Sequence, residues 1–418
     1  MDTDQICRSC GSNGLRPFLS LGPTPLTDAY VPPDLAGEEE PRYPLDVAFC
    51  PDCTLVQIPS VVPPEAIFEH YSYYSSFSDM LLAHSKEHAH GLIAERGLGP
   101  DDLVIEVASN DGYLLRYFVE EGIPVLGIDP ARGPADAAEA IGVPTLCEFF
   151  GIELATSLRS EGRIADVIIA NNVLAHVPDL NEFVEGIATI LAVDGICEVE
   201  VPYLRELIDR LEFDTIYHEH LCYFSMTALD ALFARHGLWI NGVRVLPIHG
   251  GSLRLTVSRN QGRGASVQRL LDEEGARGMD RFEHYVGFAD RVAHVQGSLL
   301  KMIHRLNAEG KTIAAYGAAA KGTILLNSSG IRSDLIAFVA DKSPHKQGMF
   351  MPGLGIPIVA PDRILEEMPD YVLLLVWNIK DEVLREQRAY LEAGGRFIVP
   401  IPSPAEIGRE VTDEVPSR

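Results

Sequence analysis

The sequence has no apolar run long enough to span a bilayer, and its N-terminus lacks the basic-then-apolar pattern of a secretory signal. A soluble, cytoplasmic protein is expected, with no membrane partner. Basic residues are in deficit: 34 Lys and Arg stand against 60 Asp and Glu, a formal charge of −26. So acidic a chain repels phosphate backbones, which excludes nucleic acid as a partner, and the charge reads as a solvated acidic surface. Cysteine is scarce, at seven in 418 residues, too few for a disulfide-stapled chain of this length. No exposed heptad repeat points beyond a monomer. The glycines of a dinucleotide fingerprint are mostly missing and no GxxxxGK[ST] loop occurs, which weakens NAD and ATP as ligands. What remains is a chain 46% hydrophobic, long enough for about two to four packed domains.

Four of the seven cysteines fall in two pairs, Cys7-Arg-Ser-Cys10 and Cys50-Pro-Asp-Cys53. Each CxxC knuckle turns both sulfurs to one point, so two knuckles offer four thiolates for tetrahedral zinc. The stretch between them carries Pro17, Pro23, Pro25, Pro32 and Pro33 and little that could form a core. A module of residues 1–65 so built needs a metal to hold it. Redox-active pairs are the alternative, but neither pair opens a helix of a βαβ unit. With sulfur at all four positions the zinc would be structural, with no position open for catalysis.

Residues from about 101 to 258 alternate apolar strands with helical segments, at 103–107, 125–128, 165–170 and 196–201, followed by a β-rich part at 243–257. That alternation indicates a doubly wound parallel sheet. A helix is expected over 79–95, after the polar-aromatic patch Phe68-Glu-His-Tyr-Ser-Tyr-Tyr-Ser-Ser-Phe-Ser78, which could pack as a wall or line a pocket. The organising stretch is Val104-Ile-Glu-Val-Ala-Ser-Asn-Asp-Gly-Tyr-Leu-Leu115: a strand, a tight turn and a helix start. Ala108 is small, Asn110 tolerates a left-handed backbone and Gly112 adopts one freely, so the turn survives without the usual glycines. Val125-Leu-Gly-Ile-Asp129 then ends a second strand in a carboxylate that could accept both hydroxyls of a ribose. The loop from Glu106 to Gly112 resembles motif I of class I methyltransferases, which hold the methionine end of S-adenosylmethionine. On that likeness Asp129 takes the ribose and Phe149, in Cys147-Glu-Phe-Phe150, flanks adenine. Asn171 and Asn172 then lie at the carboxyl edge of the fourth strand, in Ala165-Asp-Val-Ile-Ile-Ala-Asn-Asn-Val-Leu-Ala-His-Val-Pro-Asp179. His176 reads as a structural hydrogen-bonding residue rather than a catalyst.

After the fifth strand, Tyr217-His-Glu-His220 puts four ionisable groups in a row. Imidazole titrates near neutrality, and a neighbouring carboxylate can raise its basicity, as proton abstraction beside a carbonyl requires. A second metal site on His218 and His220, or a structural polar turn, stays open. Ile248-His-Gly-Gly-Ser-Leu-Arg254 opens a strand whose glycine pair could admit a ligand or mark a bulge. A long helical stretch over 265–306 leads to a last module. There Thr312-Ile-Ala-Ala-Tyr-Gly-Ala-Ala-Ala-Lys-Gly322 combines a strand, a glycine turn and a helix N-terminus with Lys321 beside it, a plausible anion pocket. Strands at 335–341, 358, 371–377 and 396–400 continue a smaller α/β layer over 301–405, and 406–418 reads as a disordered tail.

In this order, the paired CxxC module, the degenerate motif I, Tyr-His-Glu-His, His-Gly-Gly-Ser-Leu-Arg and Gly-Ala-x-Ala-Lys-Gly resemble the nucleotide-sugar C-methyltransferases of deoxysugar and antibiotic biosynthesis. The likeness implies an N-terminal zinc module, a central Rossmann-like methyltransferase domain over 66–300 and a smaller C-terminal Rossmann-like domain. It implies S-adenosylmethionine and structural zinc as cofactors, and a nucleoside-diphosphate 4-keto-6-deoxy sugar methylated at C3. It further implies His220 as general base, Glu219 orienting that imidazole, and Tyr217 and Tyr73 hydrogen-bonding the developing enolate. His218, Ser252, Gly317 and Lys321 would contact the substrate.

Overall fold

The computed structural model describes residues 6–60, 62 and 74–409. The chain divides into two compact units, one of Met1–Arg16, Phe49–Leu204 and Leu221–His284, the other of Pro17–Ala48, Arg205–His220 and Tyr285–Arg418. Boundaries at residues 65 and 300 would cut the chain along its sequence, whereas each unit gathers three separate segments. No helix among the described residues is long and apolar enough to cross a membrane.

Strands β1 (Arg16–Thr24) and β2 (Tyr43–Phe49) are sheet neighbours, and both come from the stretch between the cysteine pairs. The sequence suggests little core there, but Tyr43-Pro-Leu-Asp-Val-Ala-Phe49 alternates well enough to bury Leu45 and Val47 completely. Pro17 and Pro23 fall within β1 and Pro44 near the start of β2, while Pro25, Pro32 and Pro33 lie between the two strands. A short β3 (Val56–Gln57) pairs with Cys222–Tyr223 of the same unit.

The first unit is built on β4 (Val104–Val107), β5 (Val125–Ile128), β6 (Thr145–Leu146), β7 (Ala165–Asn171) and β8 (Leu191–Pro202), all parallel. After β9 (Cys222–Tyr223) come β10 (Trp239–Leu246) and β11 (Ser252–Ser258). The sheet order is β10-β11-β8-β7-β4-β5-β6, with β11 running antiparallel to both neighbours. Every residue of β4 and β5 is buried, as in a parallel sheet covered on both faces by helices. The expected helix spans Asp79–Arg96, started by Ser78, whose hydroxyl accepts from the Leu81 amide, and stopped by left-handed Gly97. Helix Met226–Arg235 has a second, unusual cap. The carboxylate of Glu274, fully buried on helix Ala265–Arg277, accepts from the Met226 amide at 2.7 Å, the Thr227 amide at 2.9 Å, the Thr227 hydroxyl at 2.6 Å and the Tyr203 hydroxyl at 2.8 Å.

The second unit carries β12 (Ile313–Tyr316), β13 (Val339–Ala340), β14 (Ile358–Val359), β15 (Tyr371–Leu374), β16 (Arg396–Val399) and β17 (Ala405–Ile407). Their order, β14-β13-β12-β15-β16-β17, is parallel except for β17. Strand order reverses between β12 and β15, the switch point at which such sheets open a crevice. Two sequence expectations need correction. The stretch 265–306 is not one helix but two, Ala265–Arg277 and Phe288–Ala308, separated where Gly278 (φ 71°) and Gly287 (φ 82°) turn left-handed. Nor does the tail begin at 406, because β17 pairs Phe397 with Ile407; residues 410–418 lie outside the described part.

Removing the Glu274 carboxylate strands four donors in a dry site. The Glu274→Ala variant should lose about 3 kcal/mol of stability, read as a lowered urea midpoint, while Glu274→Gln retains part of it.

Candidate active site and metal centre

In the first unit the loop after β4 has the conformation its residues permit. Ala108 (φ 59°), Asn110 (φ 48°) and Gly112 (φ 73°) are all left-handed, and a Cβ on Gly112 would sit 3.0 Å from the Val143 side chain. Asp129, just beyond β5, locks this loop. One carboxylate oxygen accepts from the Asn110 amide at 2.9 Å and the other from the Ala131 amide at 2.8 Å. A carboxylate offers about four lone-pair sites, so two remain for ribose hydroxyls. Above the loop, the amides of Ser75 and Ser76 donate to the side chains of Asn110 (2.8 Å) and Asp111 (3.2 Å). Burial pushes the Glu106 carboxyl well above the usual carboxylate range, with Asp129 and Asp111 adding to it, and burial raises Asp129 as well. Carboxyls raised in this way take up their charge most readily when a cation lies beside them. Asn172 (φ 54°) donates its amide to the Glu200 carbonyl at 2.8 Å, Asn171 is buried 3.5 Å from His88, and Phe149 is 65% exposed. His176 is half-buried in the turn Leu174–His176. The loop, Asp129 and the exposed ring together fit S-adenosylmethionine.

One part of this edge escapes a reading of the sequence. Although burial works against its charge, Glu200 is held down at about 2 by His84, 3.0 Å away, and by Arg254, whose guanidinium grips it. Three residues so far apart share no local motif.

The four knuckle sulfurs lie within 4.8 Å of one another, with Cys7–Cys53 at 3.5 Å and Cys10–Cys50 at 3.6 Å. Zn–S bonds of about 2.3 Å set the edges of a ZnS4 tetrahedron at about 3.8 Å, so the thiols fit zinc with little movement. Among the described residues no other cluster of metal-ligating groups forms, His218 and His220 included.

Tyr217-His-Glu-His220 belongs to the second unit. His220 Nδ1 is 3.1 Å from the Thr215 carbonyl and Nε2 is 2.8 Å from the Tyr217 hydroxyl; the two rings lie 3.9 Å apart. A carbonyl can only accept, so Nδ1 carries a hydrogen, and in the neutral form of the ring the lone pair is then at Nε2. The family resemblance implies that Glu219 orients this ring. The structure instead bonds Glu219 to the Thr27 hydroxyl at 3.0 Å, and burial, then Asp28, pushes its carboxyl up to about 7. His218 is buried, 3.2 Å from the Tyr43 carbonyl and 3.3 Å from that of Pro44, a position that holds chain rather than ligand. Ser252 is likewise buried and donates to the Ile248 carbonyl. Tyr73 lies outside the described residues.

Gly317 (φ 95°) packs so closely that a Cβ would meet Val376 at 2.6 Å. Lys321 donates to Asn378 at 2.9 Å and lies 4.9 Å over the Trp377 ring. Beyond β13, Asp341 repeats what Asp129 does: it accepts from the Ala318 amide at 2.7 Å in the loop after β12 and from the Ser343 amide at 2.8 Å. The rule that picks out Asp129, an acid ending the strand beside a glycine turn, picks out Asp341 too.

Two measurements follow from this geometry. Cys53→Ser should release the metal, about one zinc per chain by elemental analysis falling to none, with a lower Tm. For Glu219 the folded pKa, about 7, exceeds its ordinary 4.5, so the folded state binds the proton more tightly. Stability from this group is therefore full below pH 4.5 and lost as pH rises to 7, by roughly 3 kcal/mol. Relative to wild type, Glu219→Gln should gain stability progressively between pH 5 and pH 8, read by thermal denaturation.

Three family models match the chain: a zinc binding domain over residues 7–68, a methyltransferase domain over 83–240 and a C-methyltransferase C-terminal domain over 247–402. The chain is 37% identical over 410 residues to the C-methyltransferase NovU of Streptomyces niveus, covering 97% of each. Among solved structures, magnesium protoporphyrin IX methyltransferase from Synechocystis shares 15% identity and a TM-score of 0.36 over 47% of this chain and 92% of its own. A methyltransferase from Anabaena variabilis shares 14% identity and a TM-score of 0.34 over 42% and 84%. Likeness at those two levels carries no argument. The near-complete relative and the order of the three matched domains do: this chain belongs to the S-adenosylmethionine-dependent C-methyltransferases.

Proposed function

We propose that the protein methylates C3 of a nucleoside-diphosphate 4-keto-6-deoxy sugar through an enolate. The observation that carries this reading is the Tyr217–His220 pair: an imidazole whose tautomer is set by the Thr215 carbonyl and whose lone pair faces a phenol hydroxyl at 2.8 Å. A 4-keto group acidifies the hydrogen on C3, and only a base with a fixed lone pair is then needed to remove it. His220 Nε2 takes that proton as the Tyr217 hydroxyl turns from the imidazole to the oxygen at C4. The electron pair of the broken C–H bond moves into the C3–C4 bond and the carbonyl electrons onto that oxygen. A positioned donor of this kind contributes about 3–4 kcal/mol to the charged state. S-adenosylmethionine, when bound, supplies a sulfonium methyl, and C3 forms the new C–C bond as the S–CH3 bond breaks.

The remaining residues bind and orient. Glu106, Asn110 and Asp129 hold the donor, and placing the methyl near C3 converts a bimolecular encounter into an effectively unimolecular step. The loop after β12, with Gly317 and Asp341, is the second unit's counterpart of the Asp129 edge, which supports a nucleotide there.

Mass spectrometry of the purified protein with S-adenosylmethionine and a panel of nucleoside-diphosphate 4-keto-6-deoxyhexoses tests the reaction. One added methyl mass with matching S-adenosylhomocysteine supports it; modification of no sugar removes the substrate. His220→Asn should lower kcat by at least about 1,000-fold and abolish exchange of the C3 hydrogen with D2O, while donor affinity holds. Normal exchange in that variant would remove His220 as the base.

A further inference from the structure

One helix of the second unit grips both ends of the segment that carries Tyr217 and His220. Helix Ala320–Ser329 packs against the turn Phe213–Thr215. Two residues beyond Lys321, the Thr323 hydroxyl donates to the Thr27 carbonyl at 3.3 Å, and the Thr27 hydroxyl donates on to Glu219. At the other end Lys321 reaches the turn through Trp377. The indole face receives the ammonium at 4.9 Å, and its Nε1 donates to Asp214 Oδ2 at 2.7 Å. Asn378, in the same short turn Trp377–Ile379, accepts from the Lys321 ammonium.

Asp214 is fully buried, and one of its oxygens has no hydrogen-bond partner among the described residues; the same holds for one oxygen of buried Glu212. Burial pushes both carboxyls up, and the Lys321 charge opposes this at each, favouring their charged forms, with Arg210 a lesser contributor at Glu212. The Lys321 charge is thus engaged inside its own unit, which leaves it poorly placed to hold a substrate phosphate. What it stabilises sits one residue from the critical atom. Thr215 follows Asp214; its hydroxyl closes the turn on the Glu212 carbonyl at 2.7 Å and its own carbonyl holds His220 Nδ1.

We propose that Lys321, Trp377 and Asp214 are positioning residues for the methyl transfer. Their linked contacts fix the turn Phe213–Thr215, so that the Thr215 carbonyl sets the tautomer and orientation of His220. The inference rests on the reading of His220 as the base.

The test combines kinetics with the ring signals of His220, assigned by their loss in His220→Asn. Long-range 15N correlation spectra of the holoenzyme should show Nδ1 protonated and Nε2 bare in the wild type. In Lys321→Met the two tautomers should mix. A misplacement of about 1 Å costs about 100-fold, so kcat should fall by that order while KM for the nucleotide sugar and the donor's Kd stay within about 3-fold of wild type. Lys321→Arg, which keeps charge and cation–π contact, should recover much of the loss. If Lys321→Met proves unstable, Trp377→Phe, which keeps both charges and loses only the indole N–H, carries the same readouts. An unchanged tautomer pattern, or a loss confined to KM, would overturn the proposal, the latter returning Lys321 to substrate binding. Activity surviving in His220→Asn would instead remove the base itself, while the tautomer readout still judges the positioning.

Discussion

A carboxylate at the end of a buried parallel strand cannot stay dry and unpaired, and much of this protein's chemistry is arranged around that constraint. Asp129 and Asp341 meet it in the same way, each accepting one amide from the loop after the neighbouring strand and one from two residues further along its own chain. The loop is thereby fixed without a glycine-rich fingerprint. Ala108 and Asn110 hold left-handed conformations that cost an ordinary residue about 1–2 kcal/mol, and the two amide–carboxylate bonds on Asp129, each worth about 1.5–3 kcal/mol, exceed that cost. A degenerate motif is stable here because the acid does the holding.

The same constraint acts on the segment 212–220, where the outcome differs. Glu212 and Glu219 are both driven to about 7 and Asp214 to about 6, with burial the leading cause in each. Three carboxyls on one short segment are thus poised near neutrality, so each partner found for them has a large effect. Lys321 and the Trp377 indole serve Asp214; the Thr27 hydroxyl serves Glu219. None of these is a neighbour in sequence.

That distance explains what could and could not be read in advance. Strands β4 and β5 are short apolar runs ended by small or acidic residues, and all their contacts follow from burial on both faces, so their limits are legible to within a residue or so. The cysteine pairs are legible because two knuckles leave sulfur few other geometries. Lys321 beside a glycine turn looks like an anion pocket until Asn378 and Asp214, far along the chain, are seen around it. Ser252 and His218 have the right chemistry for a ligand, but their side chains turn inward to the Ile248, Tyr43 and Pro44 carbonyls. Residue type reports what a group can do; only packing reports which way it points. The break in 265–306 was available from its glycines, whose left-handed backbone outweighs helical periodicity there.

The choice of a carbonyl rather than Glu219 to orient His220 has a chemical consequence. A carboxylate on Nδ1 stabilises the imidazolium strongly, which raises basicity but also ties the proton to the ring. A backbone carbonyl fixes the same tautomer with a neutral dipole, so the ring binds a proton less tightly and releases it more readily. On the proposed reading, in which an adjacent ketone acidifies the C3 hydrogen, the weaker base suffices, and one that gives up its proton after each methyl transfer is ready for the next substrate. Glu219, buried and bonded to Thr27 instead, has its carboxyl pushed up to about 7, chiefly by burial, and so carries less negative charge near neutral pH than an ordinary carboxylate.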